Sequence, residues 1–510
     1  MGVTGRMLLV RADADGRIGS GHVMRCLALA QAWQDRGGKC TFVGSIESDA
    51  LRRRLVDEGC GVVALPHRHP DSGDLAAMRR LVAEQQQMDS GWVVLDGYHF
   101  DAAYQQAVRG SGRPLLVVDD CGHLPHYQAD ILLNQNAHAG EIAYDATAET
   151  VRLMGLRYLL LRQEFFSGNR GGGDVVGRAR RLLVTLGGAD ACNVTAKVID
   201  ALLHLKVPDL EARIVVGALN PHRRELEEHL RKASFEGELL TSVDDMASLM
   251  RWADLAISGA GSTCWELAAM GVPCVVTVLA DNQERLASSL AAAGACVNLG
   301  WYHQWQAGEG AELLAELLED AERRQALRGQ GLRLVDGRGA ERVVRAMELA
   351  EFSLRHATDD DCQVVFSWAN DPEVRAASFS AGSIGWDEHC RWFAERLRDE
   401  HHLFYVATTA EGEPIGQVRF AVDGTEARIS VCLGQRSRGY GIGSRLIRRA
   451  VLQAGKETPL CRVVALIRPE NMASRHCFAR ASFRRMADVD YNGTAAVSME
   501  FVFEEEGAAA

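Results

Sequence analysis

Residues 7–22, Met-Leu-Leu-Val-Arg-Ala-Asp-Ala-Asp-Gly-Arg-Ile-Gly-Ser-Gly-His, run from a short apolar segment through a glycine turn into a helical pattern. A strand, a glycine turn and a helix in this order are the first unit of a doubly wound α/β sheet. In such a turn the free backbone N–H groups and the positive end of the helix dipole face a bound phosphate. The sequence therefore predicts an anion-binding site at Gly19 and Gly21.

The same alternation of apolar and helix-length segments continues through residue 166. Strands separated by helices pair in parallel through right-handed crossovers, which produces an open, doubly wound sheet. Residues 1–166 are therefore predicted to form a Rossmann-like lobe, and the glycine-rich segment 167–173 is predicted to be a flexible connection. The predicted strands are 7–11, 40–43, 61–65, 92–96, 115–119 and 131–134.

Residues 174–349 repeat this pattern and are predicted to form a second Rossmann-like lobe. Two such lobes joined by a hinge place a ligand-binding cleft where the carboxyl ends of their strands meet. The predicted strands are 181–186, 213–216, 239–243, 255–258, 273–278 and 296–299.

The pattern changes after residue 352. One strand and two helices, which start near Asp359 and Asp387, precede a meander of strands at 403–408, 413–421 and 427–433. This order predicts an α+β domain over residues 352–505 with its own core. The fold class is therefore α/β, with two doubly wound lobes followed by an α+β domain.

The composition restricts the compartment and the partners. The 510 residues are 47% hydrophobic and 24% charged, and the net charge is −12. This negative charge argues against nucleic acid and against an anionic membrane surface as partners. The thirteen cysteines include no C-x-x-C pair, and neither a signal peptide nor a membrane-spanning apolar run is present. We therefore expect a cytoplasmic protein with reduced thiols.

A set of motifs occurs in a characteristic order across residues 6–345. The set begins with Arg11-Ala-Asp13 and Ile18-Gly19-Ser20-Gly21-His22 and continues at Asp96-Gly97-Tyr98, Val118-Asp119-Asp120, 134–136, 155–165, 185–190, 258–267 and 281–283. Together these motifs resemble the UDP-2,4-diacetamido-2,4,6-trideoxy-β-L-altropyranose hydrolases of pseudaminic acid biosynthesis. That family is similar to two-lobed GT-B glycosyltransferases but uses water as the acceptor.

The resemblance assigns roles in the first lobe. His22 matches the family's proposed general base, and an imidazole that titrates near neutrality is suited to taking a proton from water. Asp13 is expected to orient the imidazole or to bind the sugar. Arg25 and Tyr98 are counted with the substrate-binding residues.

In the second lobe, two glycine-rich turns follow strands and precede helices: Gly187-Gly188 and 259–262, which includes Gly261 and Ser262. Their amides are expected to bind the diphosphate and to stabilise UDP as the leaving group. The resemblance implies that Glu266 holds the ribose hydroxyls and that Asn282 and Gln283 contact the sugar. We expect metal-independent hydrolysis with inversion.

The third domain contains Arg436-Ser-Arg438-Gly439-Tyr-Gly441-Ile-Gly443 between a strand and a helix. This segment, with Asn471 and the aromatic position 478 beyond it, is similar to the acetyl-CoA pyrophosphate loop of GNAT acetyltransferases. Glycines allow the backbone to approach phosphates closely, and the two arginines add positive charge. The resemblance implies acetyl-CoA as cosubstrate, Asn471 as a coenzyme contact, and a splayed strand end at Leu433 that exposes amides to the thioester.

The sequence departs from the GNAT pattern at Phe478, where a tyrosine usually protonates the departing thiolate. The group that protonates the thiolate is then water or another side chain, such as Ser474 or Cys477, and the sequence does not decide between them.

The fusion suggests the amine that the third domain acetylates, because acetylation of a UDP-4-amino sugar precedes hydrolysis in the pathway of the resembled family. Two alternatives remain open. The first is a GT-B glycosyltransferase fused to an acetyltransferase of unrelated amine, and the second is a GNAT domain reduced to a ligand sensor. Sugar stereochemistry cannot be read from backbone loops.

Overall fold

A computed structural model describes the chain apart from residues 1–2, 17, 87–90, 167–174, 176, 188–189, 206, 208, 218–219, 242, 244, 381 and 504–510, and apart from the side chains of residues 85, 86 and 282. The predicted connection at 167–173 and Gly188 therefore lie outside the described residues.

The first lobe contains a seven-stranded parallel sheet with the order β3-β2-β1-β4-β5-β6-β7. Side chains alternate across it: Leu8 and Val10 pack in one apolar core with the first helix, while Leu9 packs on the opposite face with the third and fourth. This alternation explains the nearly continuous apolar strands. The strands are β1 (Met7–Ala12), β2 (Lys39–Gly44), β3 (Gly61–Ala64), β4 (Gly91–Asp96), β5 (Leu115–Val118), β6 (Ile131–Asn134) and β7 (Val151–Met154). The helices are α1 (Gly21–Gln34), α2 (Asp49–Asp57), α3 (Ser72–Gln86) and α4 (Ala102–Arg109).

The second lobe contains a six-stranded parallel sheet with the order β10-β9-β8-β11-β12-β13. Its strands are β8 (Arg181–Thr185), β9 (Glu211–Val216), β10 (Glu236–Thr241), β11 (Leu255–Gly259), β12 (Cys274–Val278) and β13 (Val297–Trp301). The helices of this part of the chain are α5 (Val194–His204), α6 (Arg223–Leu230), α7 (Met246–Trp252), α8 (Thr263–Met270), α9 (Asp281–Ala292), α10 (Ala307–Glu319), α11 (Ala321–Leu334) and α12 (Gly339–Ala350).

The last of these helices, α12, packs on the first lobe rather than on the second. Val343, Val344 and Met347 share an apolar core with α1, and Glu348 accepts two hydrogen bonds from Arg36. The sequence predicts a second lobe over residues 174–349, whereas α12, the last helix of that range, packs on the first lobe. Periodicity identifies an amphipathic helix but not the sheet that it covers.

The third domain contains a mixed seven-stranded sheet with the order β14-β15-β16-β17-β18-β20-β19. Its strands are β14 (Ser353–His356), β15 (His402–Thr408), β16 (Pro414–Asp423), β17 (Glu426–Leu433), β18 (Arg462–Ile467), β19 (Arg484–Tyr491) and β20 (Thr494–Val502). Its helices are α13 (Cys362–Ala369), α14 (Pro372–Ala377), α15 (Trp386–Arg398), α16 (Gly443–Glu457) and α17 (Met472–Arg480). The predicted α/β class, with two doubly wound lobes and an α+β domain, is confirmed.

Two general expectations can be compared with these elements. All thirteen cysteines are free thiols, and six of them are buried. None of the described helices is both long enough and apolar enough to cross a membrane.

Candidate functional site

His22 lies at the topological switch point of the first sheet. The strands β1 and β4 are neighbours there, and Ala12 pairs with Asp96 at their carboxyl ends. Doubly wound sheets bind ligands at this point. Gly19 has φ +75° and turns the chain into α1, and the N-cap residue Ser20, just before this helix, makes no side-chain capping bond. The backbone N–H groups of the first turn are therefore not occupied by that side chain.

The imidazole of His22 is oriented by Asp96. Its Nδ1 lies 2.6 Å from Oδ1 of Asp96, and the side chains are 13% and 0% exposed, respectively. Burial would raise the pKa of Asp96, but Arg25 and His22 outweigh it and hold this pKa well below its usual range. Because the carboxylate is ionised, Nδ1 donates and Nε2 is left as a proton acceptor. Within the described part of the chain, Nε2 has no hydrogen-bond partner.

A polar network surrounds this pair. Arg25 donates through Nε to Asp96 at 2.6 Å and through Nη1 to Asp120 at 2.6 Å. The hydroxyl of Tyr98 donates to Asp120 at 2.7 Å, and the Tyr98 ring meets His22 edge-to-face at 5.2 Å. Tyr98 is 42% exposed, which leaves it open to a ligand. Burial and the neighbouring Asp120 carboxylate raise the pKa of Tyr98, so its hydroxyl stays protonated.

Asp13, which was expected to orient the imidazole or to bind the sugar, makes its described contacts with residues other than His22. Asp13 is buried and accepts hydrogen bonds from Arg11 at 2.6 Å and from the Ser45 amide at 2.7 Å. Its other oxygen lies 2.9 Å from Nε2 of His99. Both oxygens of the Asp13 carboxylate therefore contact other residues of the first lobe. Asp96, and not Asp13, contacts the imidazole of His22.

A crevice between the two lobes lies beside His22. Gly21 precedes His22 and Arg25 follows it by about one helical turn, and both line the crevice from the first lobe. From the second lobe, Ser262 at the start of α8 and Glu266 line it. The full set of lining residues is Gly21, Met24, Arg25, Gln135, Leu159, Leu160, Leu161, Arg162, Ser262, Trp265 and Glu266.

Glu266 is tied to the first lobe across this crevice, because Nη2 of Arg162 lies 3.3 Å from its carboxylate. Burial raises the pKa of Glu266, and Arg162 opposes this rise. Ser262 makes no side-chain capping bond to α8. The crevice therefore combines helix starts from both lobes with one acidic side chain.

The other residues predicted in the second lobe are placed as follows. Gly187 follows β8 with φ +95°, but Asp190 already accepts from the Val194 and Thr195 amides at the start of α5. This capping occupies amides at the start of α5 and leaves the predicted role of the Gly187-Gly188 turn an expectation. Gln283 accepts from the Leu279 amide at 3.0 Å. The side chain of Asn282 lies outside the described residues.

One group of described side chains, Asp119, Cys121 and His123, has the spacing of metal ligands. The Asp119 carboxylate already accepts hydrogen bonds from the Cys121 and Gly122 amides and from the Tyr127 and Tyr144 hydroxyls. These donors fill the positions a cation would need, so the group does not fit a metal site.

The third domain opens between two parallel strands. The pairing of β17 with β18 ends at Ile429 and Ala465, although β17 continues to Leu433. The predicted splayed strand end is therefore present at Leu433. Gly439 and Gly441 follow with φ +78° and +74°, and Gly443 is the first residue of α16.

The two arginines of this loop differ. Arg436 is exposed. Arg438 donates to the Leu433 carbonyl at 2.9 Å and to the carboxylates of Asp371 and Glu373 at 2.9 and 2.8 Å. Its positive charge is therefore neutralised by acidic side chains, and we do not retain Arg438 as a phosphate contact.

Asn471 caps α17, because its side chain accepts from the Ser474 amide at 3.0 Å. Phe478 is buried and packs edge-to-face on Phe483 at 4.9 Å. Cys477 lies against the start of α16, where a Cβ on Gly443 would be 3.0 Å from its sulfur. Burial raises the pKa of the Cys477 thiol, which favours its protonated form.

Sequence reasoning missed three contacts of this site: Asp96 as the partner of His22, Asp120 as the partner of Tyr98, and Arg162 as the partner of Glu266. The signal for the first two was present, because Asp96 ends β4 and Asp120 follows β5 at the same edge of the sheet.

Two family models match the chain. Residues 181–353 match the glycosyltransferase family 28 C-terminal domain, and residues 351–484 match the acetyltransferase (GNAT) domain. These matches, together with the two parallel sheets and the mixed third sheet, support a GT-B-like two-lobed unit joined to a GNAT-type domain.

Several individual proteins are similar to parts of the chain. The chain is 24% identical over 291 residues to the UDP-2,4-diacetamido-2,4,6-trideoxy-beta-L-altropyranose hydrolase of Campylobacter jejuni, a match that covers 56% of this chain and 97% of that protein. It is 22% identical over 433 residues to an uncharacterized protein of Methanocaldococcus jannaschii, and this match covers 81% of this chain and 82% of that protein. The solved spermidine N-acetyltransferase of Vibrio cholerae is 16% identical, with a TM-score of 0.28, over 30% of this chain and 96% of that one.

Proposed function

We propose that the first two lobes hydrolyse a UDP-sugar and that His22 is the general base. Nε2 of His22 takes a proton from water, and the water oxygen forms a bond to the anomeric carbon. The bond between that carbon and the phosphate oxygen breaks, and UDP leaves with the electron pair. Attack from the face opposite UDP inverts the anomeric configuration, and the Asp96 carboxylate stabilises the imidazolium that forms.

The observation that carries this proposal is the His22–Asp96 pair at the switch point, on the helix whose residues Gly21 and Arg25 line the crevice between the lobes. Gly19, Gly21 and the start of α8 supply backbone N–H groups for the diphosphate, and Glu266 binds the ribose hydroxyls. Arg25 and Tyr98 border the sugar. Asn282 and Gln283 remain proposed sugar contacts, and no step requires a metal.

The substrate that fits best is UDP-2,4-diacetamido-2,4,6-trideoxy-β-L-altropyranose, the compound in the name of the Campylobacter jejuni relative. The support is this likeness, which covers nearly the whole of that relative, and the matching order of motifs.

We expect Glu266→Ala to raise KM for the UDP-sugar about tenfold with a smaller change in kcat, because hydrogen bonds to a charged partner are lost from the ground state and the transition state alike. Steady-state UDP release measures both constants. The exposed Glu228 on α6 supplies the control Glu228→Ala. A KM equal to that of the control would remove Glu266 from the site.

The proposed reaction of the third domain is transfer of acetyl from acetyl-CoA to the 4-amino group of the UDP-4-amino-sugar precursor. The neutral amine forms a bond to the thioester carbon, the carbon–sulfur bond breaks, and coenzyme A leaves as the thiolate. The nitrogen then loses one proton and the thiolate gains one, so that the products are the amide and the free thiol. The splayed end of β17 at Leu433 and the turns at Gly439 and Gly441 support coenzyme binding at this site. Tethering the two sites raises the local concentration of the intermediate.

One experiment tests both reactions. The UDP-4-amino sugar is incubated with the full chain, with and without acetyl-CoA, and the products are identified by mass spectrometry. We expect free diacetamido sugar only with acetyl-CoA. Free sugar without acetyl-CoA, or acetylated UDP-sugar that is never hydrolysed, would contradict the proposed order of reactions.

A glycosyltransferase is the second candidate, because the second lobe matches a glycosyltransferase family 28 domain. The two candidates differ in their need for an acceptor. Steady UDP release in buffer without any sugar acceptor supports hydrolysis, and release only after an acceptor is added supports the transferase.

Gly441→Ala is expected to weaken acetyl-CoA binding at least tenfold. Gly441 has φ +74°, and an added Cβ would lie 3.0 Å from Cγ1 of Val151 and 3.3 Å from the Arg152 carbonyl. The left-handed backbone costs about 1–2 kcal/mol for a residue with a Cβ, and the contact displaces the loop. Isothermal titration calorimetry gives the Kd.

Gly412→Ala is the matched control, because Gly412 has φ +83° with open space around it. The Gly412→Ala variant introduces the same backbone strain at a position outside the loop. We therefore expect the free energy of unfolding to fall while the Kd for acetyl-CoA stays unchanged. Equal Kd values for the two variants would contradict the assignment of the loop.

A further inference from the structure

The glycine loop at 439–443 packs against the first lobe. The hydroxyl of Tyr158 donates to the Gly439 carbonyl at 2.6 Å. A Cβ on Gly441 would be 3.0 Å from Val151, a residue of β7. The edge of the first sheet therefore forms one wall of the loop.

This contact is part of a larger buried interface. Core residues of the first lobe and of the third domain belong to one continuous apolar cluster. Arg445 of α16 lies 3.3 Å from Asp130, and both side chains are buried. The first lobe is thus held in a defined position next to the loop.

Arg152 and Arg157 of the first lobe lie at the contact with the loop, and Arg480 of the third domain is close enough to Arg152 to repel it. The guanidinium of Arg157 lies at Gly439, where an added Cβ would be 3.1 Å from Nη2, and it also covers the Tyr440 ring at 5.9 Å. Arg152 is a half-buried residue of β7, and its backbone carbonyl faces Gly441. Arg480 ends α17.

Arg152, Arg157 and Arg480 form no ion pair with any described carboxylate. Two other cations at this interface do, Arg445 with Asp130 and Arg449 with Glu149. Burial and repulsion from Arg480 lower the pKa of Arg152, and attraction to the Asp145 carboxylate offsets only part of this effect. A bound polyanion would relieve this repulsion.

We propose that the first lobe forms part of the acetyl-CoA site, with Arg152 and Arg157 binding phosphate groups of the coenzyme together with Arg480. This inference rests on the proposed binding of acetyl-CoA at the glycine loop. Guanidinium groups bind phosphate oxygens through paired, charge-assisted hydrogen bonds. The UDP-sugar unit thus contributes residues to the neighbouring domain's cosubstrate site.

The test measures the Kd of coenzyme A by isothermal titration calorimetry on the full chain. The variants are Arg152→Ala, Arg157→Ala and the double variant, with Arg224→Ala on the exposed face of α6 as control. We expect each single variant to weaken binding about fivefold and the double variant more, while the control binds as wild type. The thermal midpoint of each variant verifies that it folds.

A second titration uses 3′-dephospho-coenzyme A. If the effect of a variant disappears with this ligand, the arginine binds the 3′-phosphate; if it persists, the arginine binds the diphosphate. Both results support the proposal.

Arg436→Ala separates this inference from the function on which it rests. Wild-type affinity in both first-lobe variants, with weaker binding in Arg436→Ala, would overturn the inference and leave the acetyl-CoA site in place. Failure of the wild-type chain to bind coenzyme A would overturn both.

Discussion

Replacing His22 by alanine is expected to lower kcat for UDP release by about 10²–10⁴-fold, the usual contribution of a general base. Nε2 of His22 is the proposed proton acceptor, and the variant leaves water unactivated beside an intact crevice. KM should change much less than kcat, because the diphosphate and ribose contacts lie elsewhere. A continuous assay of UDP release, with the UDP-sugar and no acceptor, measures both.

His67→Ala is the matched control, since His67 also pairs with a carboxylate, Asp71, at 3.2 Å, but on the exposed surface. It should retain wild-type kcat. Acetyl-CoA binding should be unchanged in both variants. A His22→Ala variant that releases UDP at the rate of the control would remove His22 from the reaction.

Asp96→Asn is expected to reduce both activity and stability. An asparagine amide can donate to Nδ1, which favours the tautomer with the proton on Nε2 and leaves no proton acceptor toward the substrate. We therefore expect kcat to fall by about 10²–10⁴-fold. The variant also removes a buried negative charge that pairs with Arg25, at a cost of about 3 kcal/mol, which should lower the Tm of the unit by several degrees.

The stability effect has a defined pH dependence. The pKa of Asp96 is lowered in the folded protein, so its charge stabilises the fold fully above the ordinary aspartate pKa of about 3.9. The difference in Tm between wild type and Asp96→Asn should persist near neutral pH. It should shrink as the pH falls below that value toward the lowered pKa.

A double-mutant cycle shows whether the two residues act as one unit. The variant His22→Ala with Asp96→Asn should be no slower than His22→Ala alone, because Asp96 acts through the imidazole. Additive losses in kcat would mean that Asp96 contributes to catalysis independently of His22.

Much of the fold could be predicted from sequence because apolar strands, glycine turns and helix periodicity are local signals. All six strands predicted in the first lobe and all six in the second are present, with shifts of a few residues at β9, β10 and β13. β7 was not predicted, since Val-Arg-Leu-Met is short and carries a charge. Helix α14, six residues long, was also not predicted.

The position of the candidate site in the fold could be predicted from the sequence, but the side chains that contact His22 could not. The switch point located His22, because strand ends and glycine turns mark it in the sequence. Arg11 and His99 pair with Asp13, and this pairing leaves Asp96 as the carboxylate that contacts His22. The contacts of His99 and His22 join residues that are distant in the chain, so the sequence alone does not show them. Arg438 illustrates the same limit, since its pairing with Asp371 depends on how α14 packs over the loop.

Hydrolysis in ¹⁸O-labelled water tests the central claim most directly. The full chain and its His22→Ala variant are incubated with UDP-2,4-diacetamido-2,4,6-trideoxy-β-L-altropyranose and no acceptor. Mass spectrometry then measures the amount of UDP released and whether that UDP contains ¹⁸O. If water activated by His22 attacks the anomeric carbon, the wild type releases UDP without label and the variant releases almost none. UDP that carries the label, or equal release by the variant, would contradict this account.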